Sequence, residues 1–171
     1  RASIIHTGAM PRSFGPVLGR SPHVLILGSM PGLESLRRGQ YYGHPRNQFW
    51  RLLAGVIGAE LESLSYPKRL AALKRRGIAL WDTLKECSRQ GSLDSDIGDE
   101  EPNAVAGLVL ESGVRAVFLN GGKARQMFRR HIAEGMPAGV AVVTLPSSSP
   151  AAASIPFAEK LRRWRRIADY L

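Results

Sequence analysis

One feature constrains the fold most: short apolar runs alternate with amphipathic segments along the chain. The runs are residues 23–30 (HVLILGSM), 77–81 (GIALW), 114–119 (VRAVFL) and 140–145 (VAVVTL). Short runs that are apolar throughout read as strands buried on both faces. Between them lie helical patterns. Residues 47–58 carry Phe49, Trp50, Leu52, Leu53, Val56 and Ile57 on one face, with Asn47 at the capping position and Gly58 as a stop. Residues 66–76 form a second helix, with Pro67 suited to its first turn. Residues 102–112 and 123–134 form a third and a fourth. Residues 155–171 form a last, basic helix, with Lys160, Arg162, Arg163, Arg165 and Arg166 set against Leu161, Trp164, Ile167 and Leu171. Residues 85–99 are polar and turn-rich and read as a loop. Strands alternating with helices predict an α/β sandwich with a mainly parallel sheet.

The chain has 171 residues, enough for one domain of ordinary size. It starts with Arg rather than Met. Residues 1–20 are expected to be an extension, partly tag or flexible, with one domain over 21–171. In open parallel sheets the ligand sits at the carboxyl ends of the strands. Three segments follow strands here: Gly28-Ser29-Met30-Pro31-Gly32, Asn120-Gly121-Gly122-Lys123 and Pro146-Ser147-Ser148-Ser149-Pro150. They are expected to converge on one edge.

Charge points to the partner. The net charge is +10 and the isoelectric point about 10.6. That excess suits a polyanion, nucleic acid first and anionic membrane second; a solvated Arg-rich surface is the alternative. No apolar run reaches the ~18 residues of a membrane helix, and residues 1–12 hold no secretory core. A cytoplasmic, nucleoid-associated location with no membrane partner is therefore expected. Cys87 is the single cysteine, which excludes an internal disulfide and a four-cysteine metal site. It reads as a small buried hydrophobe. His6, His23, His44 and His131 have no ligand spacing, so neither a metal nor another cofactor is expected.

The motifs have two readings each. Residues 28–32 lack both the Walker and the Rossmann spacing and fit a phosphate-binding turn or a plain strand end. Residues 41–50 (YYGHPRNQFW) pack aromatics, His44, Arg46 and Asn47 into one stretch before a helix. Aromatics stack on bases, and an Asn amide can hold a water or read a base edge. The alternative is a loop with inward tyrosines and Asn47 as a helix cap. Ser147, Ser148 and Ser149 suit DNA phosphates or a flexible connector.

Together these segments resemble the uracil-DNA glycosylase superfamily, and within it the hypoxanthine-DNA (deoxyinosine) glycosylase branch. Leu27-Gly28-Ser29-Met30-Pro31-Gly32, Ser35 and the stretch from Tyr41 to Trp50 resemble that branch's GSxPx…S…YYxxPxNxFW pattern. They also resemble the GINPG…HFxxPxNRFW pattern of mismatch-specific glycosylases. Trp81-Asp82 and Gly91-Ser92-Leu93-Asp94 resemble a WD…GSLD segment. Leu119-Asn120-Gly121 and Leu145-Pro146-Ser147-Ser148-Ser149-Pro150-Ala151 resemble later signatures. Two positions depart. Met30 stands where mismatch enzymes orient water with Asn, and Leu145 stands where uracil enzymes commonly carry His. The branch places its catalytic Asn in the PxN element instead, which is Asn47 here.

The resemblance implies a three-layer α/β/α sandwich around a four-stranded sheet, and a monomer that hydrolyses a deaminated base, hypoxanthine first, from DNA without nicking the strand. It implies Asn47 and Asn120 as catalytic residues, Asn47 for water and Asn120 for the base edge. Gly28, Ser29, Met30, Pro31, Tyr42 and Phe49 are expected in the base pocket. His44, Arg46, Pro146, Ser147, Ser148 and Ser149 are expected on DNA. Three alternatives remain: a uracil or mismatched-thymine glycosylase, a lesion-DNA-binding module without chemistry, and a basic nucleotide-binding protein.

Overall fold

The computed structural model describes residues 12–89 and 97–171. Four parallel strands form its central sheet: β1 (Val24–Gly28), β2 (Ile78–Asp82), β5 (Ala116–Asn120) and β6 (Ala141–Leu145), in the order β2-β1-β5-β6. The expected strands sit where the apolar runs lie. Side chains alternate across a strand, and β1 shows it. Val24 and Ile26 join one core, with α2 (Phe49–Ile57), α3 (Tyr66–Arg75) and α6 (Phe157–Trp164) packed over them. Leu25 and Leu27 join another, covered by α4 (Val105–Ser112) and α5 (Gly122–His131). Helices on both faces make the three-layer sandwich.

Several elements differ from the sequence reading. Residues 85–99 are not simply a loop. β3 (Leu84–Arg89) pairs antiparallel with β4 (Ile97–Pro102), with register shifts along the ribbon. Gly91, Ser92, Leu93 and Asp94 lie outside the described residues. The third helix starts at Val105 rather than at 102, because Asn103 is tied to the sheet. Its Nδ2 donates to the carbonyls of Asp82 (2.9 Å) and Leu84 (3.1 Å), and its N–H donates to the Thr83 carbonyl. A short helix not expected from the sequence, α1 (Leu33–Arg38), follows β1. The last helix ends at Trp164 and continues as a 3-10 turn over Arg165–Tyr170.

The N-terminal boundary also moves. Val17 and Leu80 exchange backbone hydrogen bonds of 2.8 and 3.0 Å, and the Val17 side chain is buried. Phe14 meets Tyr41 edge to face, with ring centres 5.1 Å apart. Residues 12–20 therefore pack as part of the fold. Among the described residues no helix is long and apolar enough to cross a membrane.

Candidate active site

The parallel sheet brings the ends of β1, β2, β5 and β6 to one edge, and a cavity of about 660 Å³ opens there. β1 ends at Gly28. The Thr83 N–H donates to the Gly28 carbonyl (2.8 Å) and the Leu84 N–H to that of Ser29 (3.1 Å), which fixes the turn after the strand. Glycine is required at 28. A Cβ there would lie 2.5 Å from Asp82 Oδ1 and 3.0 Å from the Tyr42 hydroxyl. The space that a side chain would fill holds a buried carboxylate and a phenol oxygen.

Tyr42 forms a wall of the cavity. Its φ of 54° is the one positive value at a non-glycine residue among those described. Such a conformation is costly for an aromatic residue and persists only where its surroundings hold it. Those surroundings are visible. Phe49 stacks on the Tyr42 ring at 3.7 Å and 13°. The Ser35 hydroxyl accepts the Gly43 N–H at 2.9 Å. The Tyr41 hydroxyl donates to the Gly15 carbonyl at 2.8 Å, and the Tyr41 N–H donates to the Tyr66 hydroxyl at 3.0 Å. Burial pushes the Tyr41 phenol up from its usual pKa, with the Asp82 charge adding to the rise. Tyr41 is thus a neutral anchor.

The serine loop after β6 is fastened by Asn120. The Asn120 Oδ1 accepts the Ser148 N–H, and its Nδ2 donates to the Ser148 hydroxyl, both at 2.9 Å. Ser148 is 1% exposed, and its carbonyl accepts the Gln48 N–H at 3.0 Å. Ser148 therefore joins the end of β5 to the start of α2. Trp164 in α6 donates its ring N–H to the Pro146 carbonyl at 2.9 Å. Gly121, with φ +96°, lets β5 approach so closely that a Cβ there would meet Ser147 Cβ at 2.8 Å.

Asn47 lines the cavity half-buried. Its Oδ1 accepts the Phe49 N–H at 3.0 Å, while the backbone of Gln48 occupies the N-cap position itself. Capping and cavity lining are therefore both present in one residue. An amide oxygen has a second lone pair and the amide nitrogen two donors, so one bond to the backbone leaves capacity for a ligand.

Of the residues expected in the site, Gly28, Ser29, Met30, Pro31, Tyr42, His44, Arg46, Asn47, Asn120, Ser147, Ser148 and Ser149 line this cavity. Two do not. Phe49 is fully buried behind Tyr42, because the period that puts it on α2's apolar face turns it into the core. Pro146 lies back from the cavity, its carbonyl held by Trp164. Asn120 is on the wall, and its amide oxygen and nitrogen each make one hydrogen bond to Ser148, which leaves one acceptor and one donor position on the amide. Met30 packs with Leu84, Cys87 and Met127 in a small cluster, and Cys87 is the buried apolar residue expected.

The sequence reading missed Asp82. It is 3% exposed at the end of β2 and lines the cavity floor. The available signal was the second strand ending in a carboxylate, level with Gly28. Glu34 lines the rim. Hydrogen bonds from Arg37 and Arg38 lower its pKa to about 2.

The four-stranded α/β sandwich that carries this cavity at its carboxyl edge has counterparts among known proteins. The profile of the uracil DNA glycosylase superfamily matches residues 16–168, and the chain belongs to that superfamily. Among its relatives is a protein of Methanosarcina acetivorans named hypoxanthine DNA glycosylase, 45% identical over 82% of this chain and 87% of that one. A protein of the same name from Methanosarcina barkeri is 47% identical over 66% of this chain and 72% of its own. The fold matches the NMR solution structure of a candidate uracil DNA glycosylase from Methanosarcina acetivorans. The TM-score is 0.77 at 39% identity, over 93% of this chain and 99% of that one.

Proposed function

We propose that this protein is a DNA N-glycosylase that hydrolyses the bond between a deaminated base and its deoxyribose, with hypoxanthine as the preferred base. The observation that carries the reading is the meeting of Asn47, Tyr42 and the serine loop at one cavity, whose size suits a small-molecule ligand. The names of the two Methanosarcina relatives support the choice of base. So do Met30 and Leu145, which put apolar side chains where uracil chemistry is expected to use polar ones.

A base stacked in a duplex cannot be reached, so the nucleotide must be extruded. That costs roughly a few kcal/mol, and least where pairing is already weak. Tyr42, backed by Phe49, would stack on the extruded base. Asn47 would hold a water against the anomeric carbon with the capacity that its bond to Phe49 leaves. Asn is a poor base, so it contributes orientation. The Asp82 carboxylate on the floor would favour the positive charge that develops on the sugar as the base departs. Asn120 acts through Ser148, by holding the loop that grips the backbone. Among the described residues no lysine lines this cavity, so none there offers an amine to form a Schiff base, and hydrolysis should leave the strand intact.

The test is release of free base from matched duplexes carrying deoxyinosine, deoxyuridine or deoxyxanthosine. Hypoxanthine released fastest is the expected result. Uracil released fastest would keep the chemistry and overturn the choice of base. Binding of all three with no release would make the chain a lesion-binding module.

A further inference from the structure

A second cavity, of about 340 Å³, opens beside the first, and Arg46, Ser149, Pro150 and Ala152 line both. Gln48, Phe157 and Lys160 line only the second. Lys160 is 1% exposed, and its Nζ donates to Gln48 Oε1 at 3.0 Å. No carboxylate pairs with it among the described residues. Its sequence neighbour Glu159 is held by Arg162 and Arg163, and no acidic residue among those described lines this cavity. Arg51 adds further positive charge, with its guanidinium carbon 3.9 Å above the Phe157 ring. Burial pushes the Lys160 amine below its usual pKa, which marks the ammonium as poorly solvated.

A buried cation without a counter-ion destabilises a fold. One placed at the edge of a cavity, with a neutral amide as its partner, is compensated when an anion arrives. The position is also wired to the first site. Gln48 takes the lysine on its side chain and gives its N–H to Ser148, which Asn120 holds. We propose that this second cavity is a phosphate subsite that receives the phosphodiester next to the extruded nucleotide, with Lys160 as its buried cation and Arg46 as its exposed one. The proposal rests on the reading of the first cavity as the seat of an extruded base. The same chemistry would accept free inorganic phosphate, and the experiment separates the two sources.

The experiment measures binding, without base release, to a duplex carrying an uncleavable abasic-site analogue. The phosphates around the lesion are replaced one at a time by uncharged methylphosphonate. Wild type should lose affinity at one phosphate adjacent to the lesion, and the log–log salt slope should fall by about 0.9 with it. Lys160→Met, which keeps the apolar stem, should show the lower slope on unmodified DNA and no longer sense that substitution. Arg75→Gln, outside both cavities, should bind like wild type. A flat methylphosphonate scan in wild type would overturn the proposal without any variant having to fold. So would a Lys160→Met protein with the full wild-type slope, which would make Lys160 only a prop for Gln48. A melting temperature raised by inorganic phosphate over chloride at equal ionic strength, together with a flat scan, would reassign the cavity to free phosphate. Because base release is not read here, failure of the subsite and failure of the glycosylase assignment leave different signatures.

Discussion

The two cavities share a wall and differ in charge. The larger holds two carboxylates, Asp82 on its floor and Glu34 on its rim, among hydroxyls and amides, with Arg46 on the shared wall. The smaller holds cations and, among the described residues, no acid. A nucleotide has the same asymmetry. Its base and sugar are neutral and become positive at the anomeric carbon as the bond breaks, while its phosphate is negative throughout. On the proposed reading, negative charge beside the extruded nucleotide is compatible with DNA binding by a chain of net charge +10. It would lie on the side where positive charge develops as the bond breaks.

Substitutions can break this contrast on one side at a time. Tyr42→Ala should act on the first cavity alone. Loss of a stacking face costs about 1–3 kcal/mol, so kcat/KM for deoxyinosine should fall roughly 5- to 160-fold, with the salt slope of binding unchanged. Asn120→Ala should disturb both cavities through Ser148. It leaves a buried N–H unsatisfied, which costs about 1–3 kcal/mol; urea unfolding should show that loss, and DNA affinity should fall with it. Gly28→Ala should press on Asp82. Crowding of this kind costs about 1–3 kcal/mol, and activity should fall while the salt slope stays at its wild-type value. The smallest effect is expected at Glu34. Its pKa of about 2 lies below the ordinary 4.5. Its contribution is therefore present above about 4.5 and lost as pH falls towards 2. The difference in melting temperature between wild type and Glu34→Gln should be small and flat from pH 7 to 5, and should shrink below that.

The fold was legible where the pattern is local and strong. Val24–Gly28 and Ala116–Asn120 are apolar on both faces, and a parallel sheet between two helical layers is what such strands require. The β3–β4 ribbon was not legible, because its residues are polar and its register is irregular. Neither was the packing of residues 12–20, which depends on Val17 meeting Leu80, 63 positions further along the chain. The site was legible as a set of loops, since strand ends of one parallel sheet must share an edge. Its internal wiring was not. Asn120 and Ser148 lie 28 positions apart, and nothing local reveals that the amide of one fastens the other. Phe49 reads as part of an aromatic cluster, and its exact depth behind Tyr42 follows from the helix period only once Tyr42 is placed. Lys160 reads as one cation in a basic helix, and its burial is a tertiary fact.

The central claim is that Asn47 places the attacking water, and its second role as a helix anchor must be held constant when that is tested. Asn47→Ser does so, because a serine hydroxyl can accept the Phe49 N–H as the amide oxygen does but is too short to serve the cavity as well. The measurement is single-turnover release of hypoxanthine from a deoxyinosine duplex, beside thermal unfolding of the same protein. The expected result is wild-type melting with release slowed about 10²–10³-fold. Wild-type melting with wild-type release would reduce Asn47 to a structural residue and contradict the account.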